Sequence, residues 1–133
     1  HNPDSITKLT EYLQQHFADQ AWHLVFSCSQ DKPATDMLNI LIDKFESITL
    51  TQFHNNPRAV DCDGLLEIAQ QAAADNSSSE TAVLQVVADP VNAIAAIEQR
   101  ADSADLLVIA GSFYLIAACR IQLIEKSPFS PKQ

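Results

Sequence analysis

The sequence predicts one three-layer α/β domain built on a mostly parallel sheet. Two patterns carry this expectation. Apolar residues recur at helical spacing in some segments and as short β-rich runs in others, and the two kinds alternate as α-β-α-β-α-β-α-β-α. Alternation on this scale implies parallel strands joined by right-handed helical crossovers, with helices on both faces of a Rossmann-like sheet. The size agrees: 133 residues with 47% hydrophobic content suffice for a single core without disulfides or metals.

The elements follow in order. From Asp4 to Phe17, Ile6, Leu9, Leu13 and Phe17 fall at spacings of three and four, an amphipathic helix with Pro3 suited to its first turn. Trp22 to Cys28 reads as a buried strand. Pro33 opens a second helix whose Met37, Leu38, Leu41, Ile42 and Phe45 form one apolar face, and the β-branched run Ser47 to Phe53 is the next strand. A polar, turn-forming stretch, HNNPRAVDCDG, precedes a helix from about Leu65 to Ala74. After the solvated NSSSE loop comes a strand from Ala82 to Ala88. Asp89 then serves as N-cap and Pro90 as first residue of a helix through Val91, Ile94, Ala95 and Ile97 to Arg100. Leu106 to Ala110 is the last strand and Phe113 to Ile124 the last helix, both expected in the core. Residues 1–126 are thus expected to form one domain and 127–133 a tail. The chain opens on a helix, yet in an α/β fold that helix should be fed by a strand; with no initiator Met, the chain is expected to be cut from something longer.

Composition removes several function classes. Seventeen acidic against eight basic side chains give a net charge of −9, and no basic stretch exists to neutralise nucleic-acid phosphates. The run Leu106 to Cys119 is too short to span a bilayer, and no signal peptide is visible, so a cytoplasmic protein is expected. Three cysteines, Cys28, Cys62 and Cys119, form no CxxC pair and read as free, buried thiols. His54 has no HxxH or HExxH partner, which argues against a metal; His16 and His23 read as surface or edge histidines.

In an open α/β sheet, ligands meet the loops at the carboxyl ends of the strands. Here those loops are Ser29 to Lys32, His54 to Arg58, Asp89 and Gly111-Ser112, joined by His1-Asn2-Pro3 if a strand precedes residue 1. Gly111 is one of two glycines. It either lets the backbone approach an anion at a helix start or permits a turn that Ser112 caps. Asp31-Lys32 either meets an anionic ligand or lies in a solvated loop with Asp31 capping the helix at Pro33. Arg58 is an anion clamp or a surface charge. Cys28 ends a strand, but without a His or Asn placed by motif it reads as a structural thiol. No GxGxxG or GxxxxGK[ST] accompanies these residues, so the chain has no self-sufficient nucleotide motif.

Taken together and in order, HNP at residues 1–3, Asp31-Lys32, Pro57-Arg58-Ala59 and AGSFYL from Ala110 to Leu115 resemble the carboxyl-terminal domain of the folylpolyglutamate synthase/dihydrofolate synthase family, within the Mur ligase superfamily. The similarity runs along nearly the whole chain; Pro33 departs from it, since an acidic residue is commoner there. The resemblance implies an ATP-dependent ligase. Such enzymes phosphorylate a carboxylate of dihydropteroate or a folate, and the amino group of glutamate then attacks the acyl phosphate. ATP and Mg²⁺ would be held mainly by an amino-terminal ATPase domain absent from this chain, which would be this domain's partner; the fragment alone is expected to be inactive and to need no cofactor or metal of its own. By the same resemblance, His1 and Asn2 would lie near the ATP phosphates, His1 also near the incoming glutamate. Ser112 and Gly111 would contact the glutamate, and Asp31, Lys32 and Arg58 would face the cleft. Two other readings are a stand-alone receiver- or flavodoxin-like binding domain and another Mur-superfamily amino-acid ligase. The first lacks the acidic cluster and the Lys after the last strand that a receiver needs.

Overall fold

The structure is a computed structural model that describes residues 2–54 and 56–125. Its nine elements are α1 (Pro3–His16), β1 (Trp22–Phe26), α2 (Ala34–Leu41), β2 (Ser47–Leu50), α3 (Cys62–Asp75), β3 (Val83–Val86), α4 (Pro90–Arg100), β4 (Leu106–Ala110) and α5 (Phe113–Glu125). The order is the expected one. The strands form one four-stranded sheet, β3-β2-β1-β4, parallel at every pairing. Register sets Leu24 beside Ile48 on one side and beside Val108 on the other.

Both faces of the sheet are covered, which is why all of β1 is buried and its sequence, WHLVF, does not alternate. On one face Leu24, Phe26, Ile48 and Leu50 pack against Ile6 and Leu13 of α1, Met37, Leu38 and Leu41 of α2, and Leu65 and Ala69 of α3. On the other, Val25 and Phe53 pack against Ala93, Ile94 and Ile97 of α4 and Leu115 and Cys119 of α5. The crossovers through α2 and α3 step one way along the sheet, and the one through α4 steps back past β1. The point where direction reverses lies between β1 and β4.

Local chemistry explains most boundaries. Asn2 caps α1, accepting from Ser5 N–H at 2.9 Å ahead of Pro3. Asp89 caps α4 through Asn92 N–H at 3.0 Å, with Pro90 at the first position. Three expectations need correction. Asp31 does not cap α2: the N-cap is Pro33, with no side-chain bond, and Asp31 is exposed. Helix α3 begins at Cys62 rather than Leu65, because Asp61 accepts from Gly64 N–H at 2.7 Å and nucleates an earlier turn. Helix α5 is not a core helix: it buries Leu115 and Cys119, while Phe113, Tyr114, Ile116, Ile121, Leu123 and Ile124 are exposed.

His23 also differs from its expected edge position. It lies in the central strand, buried, with Nδ1 2.7 Å from Ser47 Oγ and Nε2 2.9 Å from Asp105 Oδ2. One imidazole thereby ties together the amino-terminal ends of three neighbouring strands. His16 is exposed, as expected. The expected tail, 127–133, lies outside the described residues.

Candidate functional site at the carboxyl ends of β1 and β4

At the reversal point, the chain leaving β4 meets the chain leaving β1. Gly111 has φ of +110°, a conformation that side-chain-bearing residues rarely adopt. Space imposes the same choice: a Cβ on Gly111 would collide with the carbonyl oxygen of Ser27 and come within 2.8 Å of the Phe26 ring. Gly111 therefore allows β4's end to lie directly against β1's.

Ser112 follows and is buried. Its Oγ accepts from Tyr114 N–H at 3.1 Å, and its carbonyl accepts from Ile116 N–H at 3.1 Å, so it is the N-cap of α5. The capped-turn reading is thus what the structure shows. Capping uses the hydroxyl as acceptor only, and its hydrogen stays available to donate to an anion or carbonyl. Beside it lies a hollow of about 210 Å³ lined by Ser5, Ile6 and Leu9 of α1 and by Gly111, Ser112 and Phe113. The first turn of α1 and the start of α5 therefore meet at one place, as the order HNP and AGSFYL implied. Asn2 stands one turn from that hollow but spends its side chain capping α1. His1 lies outside the described residues.

The remaining candidates form a second group. The loop after β1 pairs with the loop after β2: Gln30 N–H donates to Arg58 O at 2.6 Å, Val60 N–H to Cys28 O at 3.0 Å, and Ser29 bridges Ala59. The Asn56 side chain accepts from Arg58 N–H at 2.9 Å and fixes the turn. Asp31, Lys32 and Arg58 are thus carried on two loops zipped into one unit. Among the described residues neither the Lys32 ammonium nor the Arg58 guanidinium has a side-chain partner. In a chain of net charge −9, two unpaired cations on joined loops at the ligand-facing edge are the places an anion is attracted. Cys28, between the two groups, is pushed up to about 11 by burial, with the Asp31 charge adding to it, so it is a protonated, inert thiol.

Sequence reasoning missed two features. Phe53 stacks on Tyr114 with ring centroids 5.3 Å apart, which fixes the first turn of α5 over the end of β2. His54 Nε2 bonds Asp89 Oδ1 at 2.9 Å; that bond first, and the Asn92 N–H second, hold the Asp89 carboxyl below its usual range. Neither pair leaves a local signal, since the partners are 61 and 35 residues apart in sequence.

Two other hollows lie at the amino-terminal ends of the strands. The larger, about 810 Å³, runs past Trp22, Asp43, Glu46 and Glu80. A smaller one of about 240 Å³ reaches His23 and Asp105. Ser47, His23 and Asp105 share a residue set with hydrolase triads, but Ser47 is 5% exposed and outside that hollow, so it offers no nucleophile. Both hollows are at the wrong end of a parallel sheet for the ligand crevice. Among the described residues no group of three or more His, Cys, Asp or Glu is arranged to hold a metal, and no helix is long and apolar enough to cross a membrane.

Comparison with known proteins gives a consistent result. The dihydrofolate synthase/folylpolyglutamate synthase of Bacillus subtilis (strain 168) is 31% identical over 123 residues, covering 92% of this chain and 26% of that protein. The fold is shared with E. coli FolC in complex with DHPP and ADP (TM-score 0.76, 19% identity, covering 94% of this chain and 27% of that one). It is shared equally with folylpolyglutamate synthase from Thermotoga maritima (TM-score 0.75, 24% identity, 96% and 27%). The chain spans about a quarter of the length of the relatives it matches. The family model described as Mur ligase, glutamate ligase domain matches residues 1–113, and the chain belongs to that family.

Proposed function

We propose that this chain works as the carboxyl-terminal domain of an ATP-dependent ligase that joins glutamate to dihydropteroate, to folates, or to both, through an acyl phosphate. Its part is to close over the nucleotide held by an amino-terminal ATPase domain and to position glutamate. The observation that carries the reading is the meeting of the α1 and α5 starts at the carboxyl end of β4, with Gly111 against Ser27 and the Ser112 hydroxyl hydrogen left to donate. The curated relative at 31% identity, a dihydrofolate synthase/folylpolyglutamate synthase, supports the folate branch over other amino-acid ligases.

Each residue has a chemical task in this reading. Ser112 donates to the glutamate carboxylate, with Gly111 keeping the backbone close enough to permit contact. Lys32 and Arg58 neutralise carboxylate charge, and Asp31 faces the same cleft. In this proposal His1 and Asn2 are assigned to the nucleotide phosphates, and His1 also to the incoming glutamate. Holding two reactants in line lowers the barrier by removing orientational freedom, and fixed donors stabilise charge without reorganising. The Mg²⁺ ligands are assigned to the amino-terminal domain by the family resemblance, and no step here runs through the metal. A cytoplasmic location belongs to the same reading.

The test is ATP-dependent incorporation of labelled glutamate into dihydropteroate or tetrahydrofolate by the longer polypeptide that carries this domain. Incorporation with stoichiometric ADP release is the expected result. A longer polypeptide that binds ATP but transfers no glutamate to either acceptor overturns the proposal.

A further inference from the structure

The loop between β2 and α3 carries Arg58, and its two flanks are held by different neighbours. On the β1 flank, Gln30 N–H donates to Arg58 O and Val60 N–H to Cys28 O. On the β3 flank, Thr51 Oγ1 and Gln52 N–H both donate to Ala88 O, at 3.0 and 3.3 Å. Phe53 is buried and stacks on Tyr114, so the path is fixed as far as residue 53. His54 comes next, and its Nε2 crosses to Asp89 Oδ1 at 2.9 Å. Beyond it the described bonds stay within the loop until the β1 flank is reached: Asn56 Oδ1 accepts from Arg58 N–H at 2.9 Å, and Asn56 O from Ala59 N–H at 3.2 Å. Those two bonds make residues 56–59 a tight turn that moves as one piece.

Asp89 spends Oδ2 on Asn92 N–H at the start of α4 and Oδ1 on His54. An ionised carboxylate only accepts, so Nε2 of His54 carries the hydrogen and donates it. The lowered Asp89 carboxyl, whose first cause is the His54 bond, agrees with that assignment. The two side chains are 56% and 39% exposed, so the pair is no part of the core. Exposed pairs contribute little to stability. Such a tie is too weak to decide whether the domain folds, yet it decides where a short turn rests. The turn it holds presents a guanidinium, that of Arg58, with no side-chain partner among the described residues.

We propose that His54 is a positioning residue for glutamate recognition: clasped by the Asp89 carboxylate, it holds the β3 flank of the loop that presents Arg58 to the crevice. The proposal rests on reading Arg58 as a glutamate contact of a ligase. His54 itself touches neither substrate. With both flanks tied, the guanidinium is already in place, and glutamate meets it without first ordering the loop. With the clasp open, the turn hangs from the β1 flank alone, and part of the binding free energy goes into reordering it. The effect therefore falls on the KM for glutamate and leaves the chemical step alone.

Steady-state kinetics of variants of the longer polypeptide test this. His54→Ala is expected to raise the KM for glutamate about fivefold, the ceiling for one half-exposed ion pair, with kcat and the KM for ATP within about twofold of the parent. Asp89→Ser keeps a capping hydroxyl on α4 but loses the clasp; it gives the same rise, and combining it with His54→Ala adds nothing. His54→Gln restores the KM, because its amide nitrogen donates where Nε2 does. In an Arg58→Ala background, His54→Ala has no further effect. An unchanged KM in His54→Ala overturns the proposal. So does a full fivefold rise in the Arg58→Ala background, which makes His54 a ligand contact, or a loss of kcat and Tm that Gln does not restore. Hydrogen exchange at the Gln30 amide, which donates to Arg58 O, is measured on the same samples and is expected to quicken about threefold or more in His54→Ala. A polypeptide that transfers no glutamate yet shows this quickening removes the ligase and keeps the clasp. An active one with neither change removes only the clasp.

Discussion

Gly111 and Ser27 touch backbone to backbone across the reversal point of the sheet, so closely that a single methyl on Gly111 would strike the Ser27 carbonyl. The contact holds together the two strand ends that make the crevice.

Substituting Gly111→Ala combines an unfavourable φ of +110° with that collision. A loss of about 2–4 kcal/mol of stability is expected, the sum of backbone strain and overpacking. Urea denaturation of the two proteins measures it. A difference below about 1 kcal/mol, the size of an ordinary surface or cap substitution, contradicts the geometry.

Ser112 has one observed task, capping α5, and one proposed task, glutamate contact, and the two can be separated. Ser112→Ala removes the cap of α5 and is expected to cost about 1 kcal/mol. Ser112→Asp restores the cap and the stability, because a carboxylate accepts from Tyr114 N–H and suits a helix start. In the longer polypeptide, if Ser112 meets glutamate as proposed, Asp would repel its carboxylate, so stability is expected to recover and glutamate use is not. Recovery of both would show that Ser112 is only a cap.

Thiol chemistry offers a third check. Burial, with the Asp31 and Asp89 charges adding respectively, raises Cys28 and Cys119 to about 11, and burial raises Cys62 as well. At pH 8 the native protein is expected to react slowly with iodoacetamide, and the urea-unfolded protein rapidly at all three thiols. Rapid alkylation of native Cys28 would contradict its placement.

The Ser47–His23–Asp105 bridge gives a pH dependence. The His23 hydrogen bond, aided by Asp102 N–H, holds the Asp105 carboxyl below its ordinary 3.8. A carboxyl whose folded pKa is lowered contributes stability that is complete above the unfolded value and disappears as pH falls through the folded one. Asp105→Asn is therefore expected to lower Tm at pH 7 and to converge with the unchanged protein as pH falls through the lowered folded pKa of Asp105, where both come to carry a neutral group. A Tm gap constant from pH 7 to pH 2 would contradict this linkage.

How far these features were legible in the sequence depends on the range of the interaction behind each. Pro3, Asp89 and Pro90 act on their own first turns, so the starts of α1 and α4 follow from three or four residues. Asp61 is equally local, but it sits in a polar stretch that reads as loop and masks the start of α3. His23 was misplaced because its partners are 24 and 82 residues away, and only the parallel register brings them together. Helix α5 reads as core because of its apolar composition, yet composition does not say what covers a face. For the site, the order of HNP, Asp31-Lys32, PRA and Gly111-Ser112 pointed to one edge of the sheet. The zipper between Gln30 and Arg58, which makes two of those motifs one unit, is backbone pairing and leaves no trace in residue type.

The central claim is that this edge faces glutamate. Steady-state kinetics of the longer polypeptide carrying Lys32→Ala and Arg58→Ala together tests it most directly, because these side chains have no partners within the described fold to lose. The account predicts a KM for glutamate raised about tenfold or more, roughly 1.4 kcal/mol of lost ground-state contact, with the KM for ATP little changed. An unchanged KM for glutamate in a folded, active variant would contradict it.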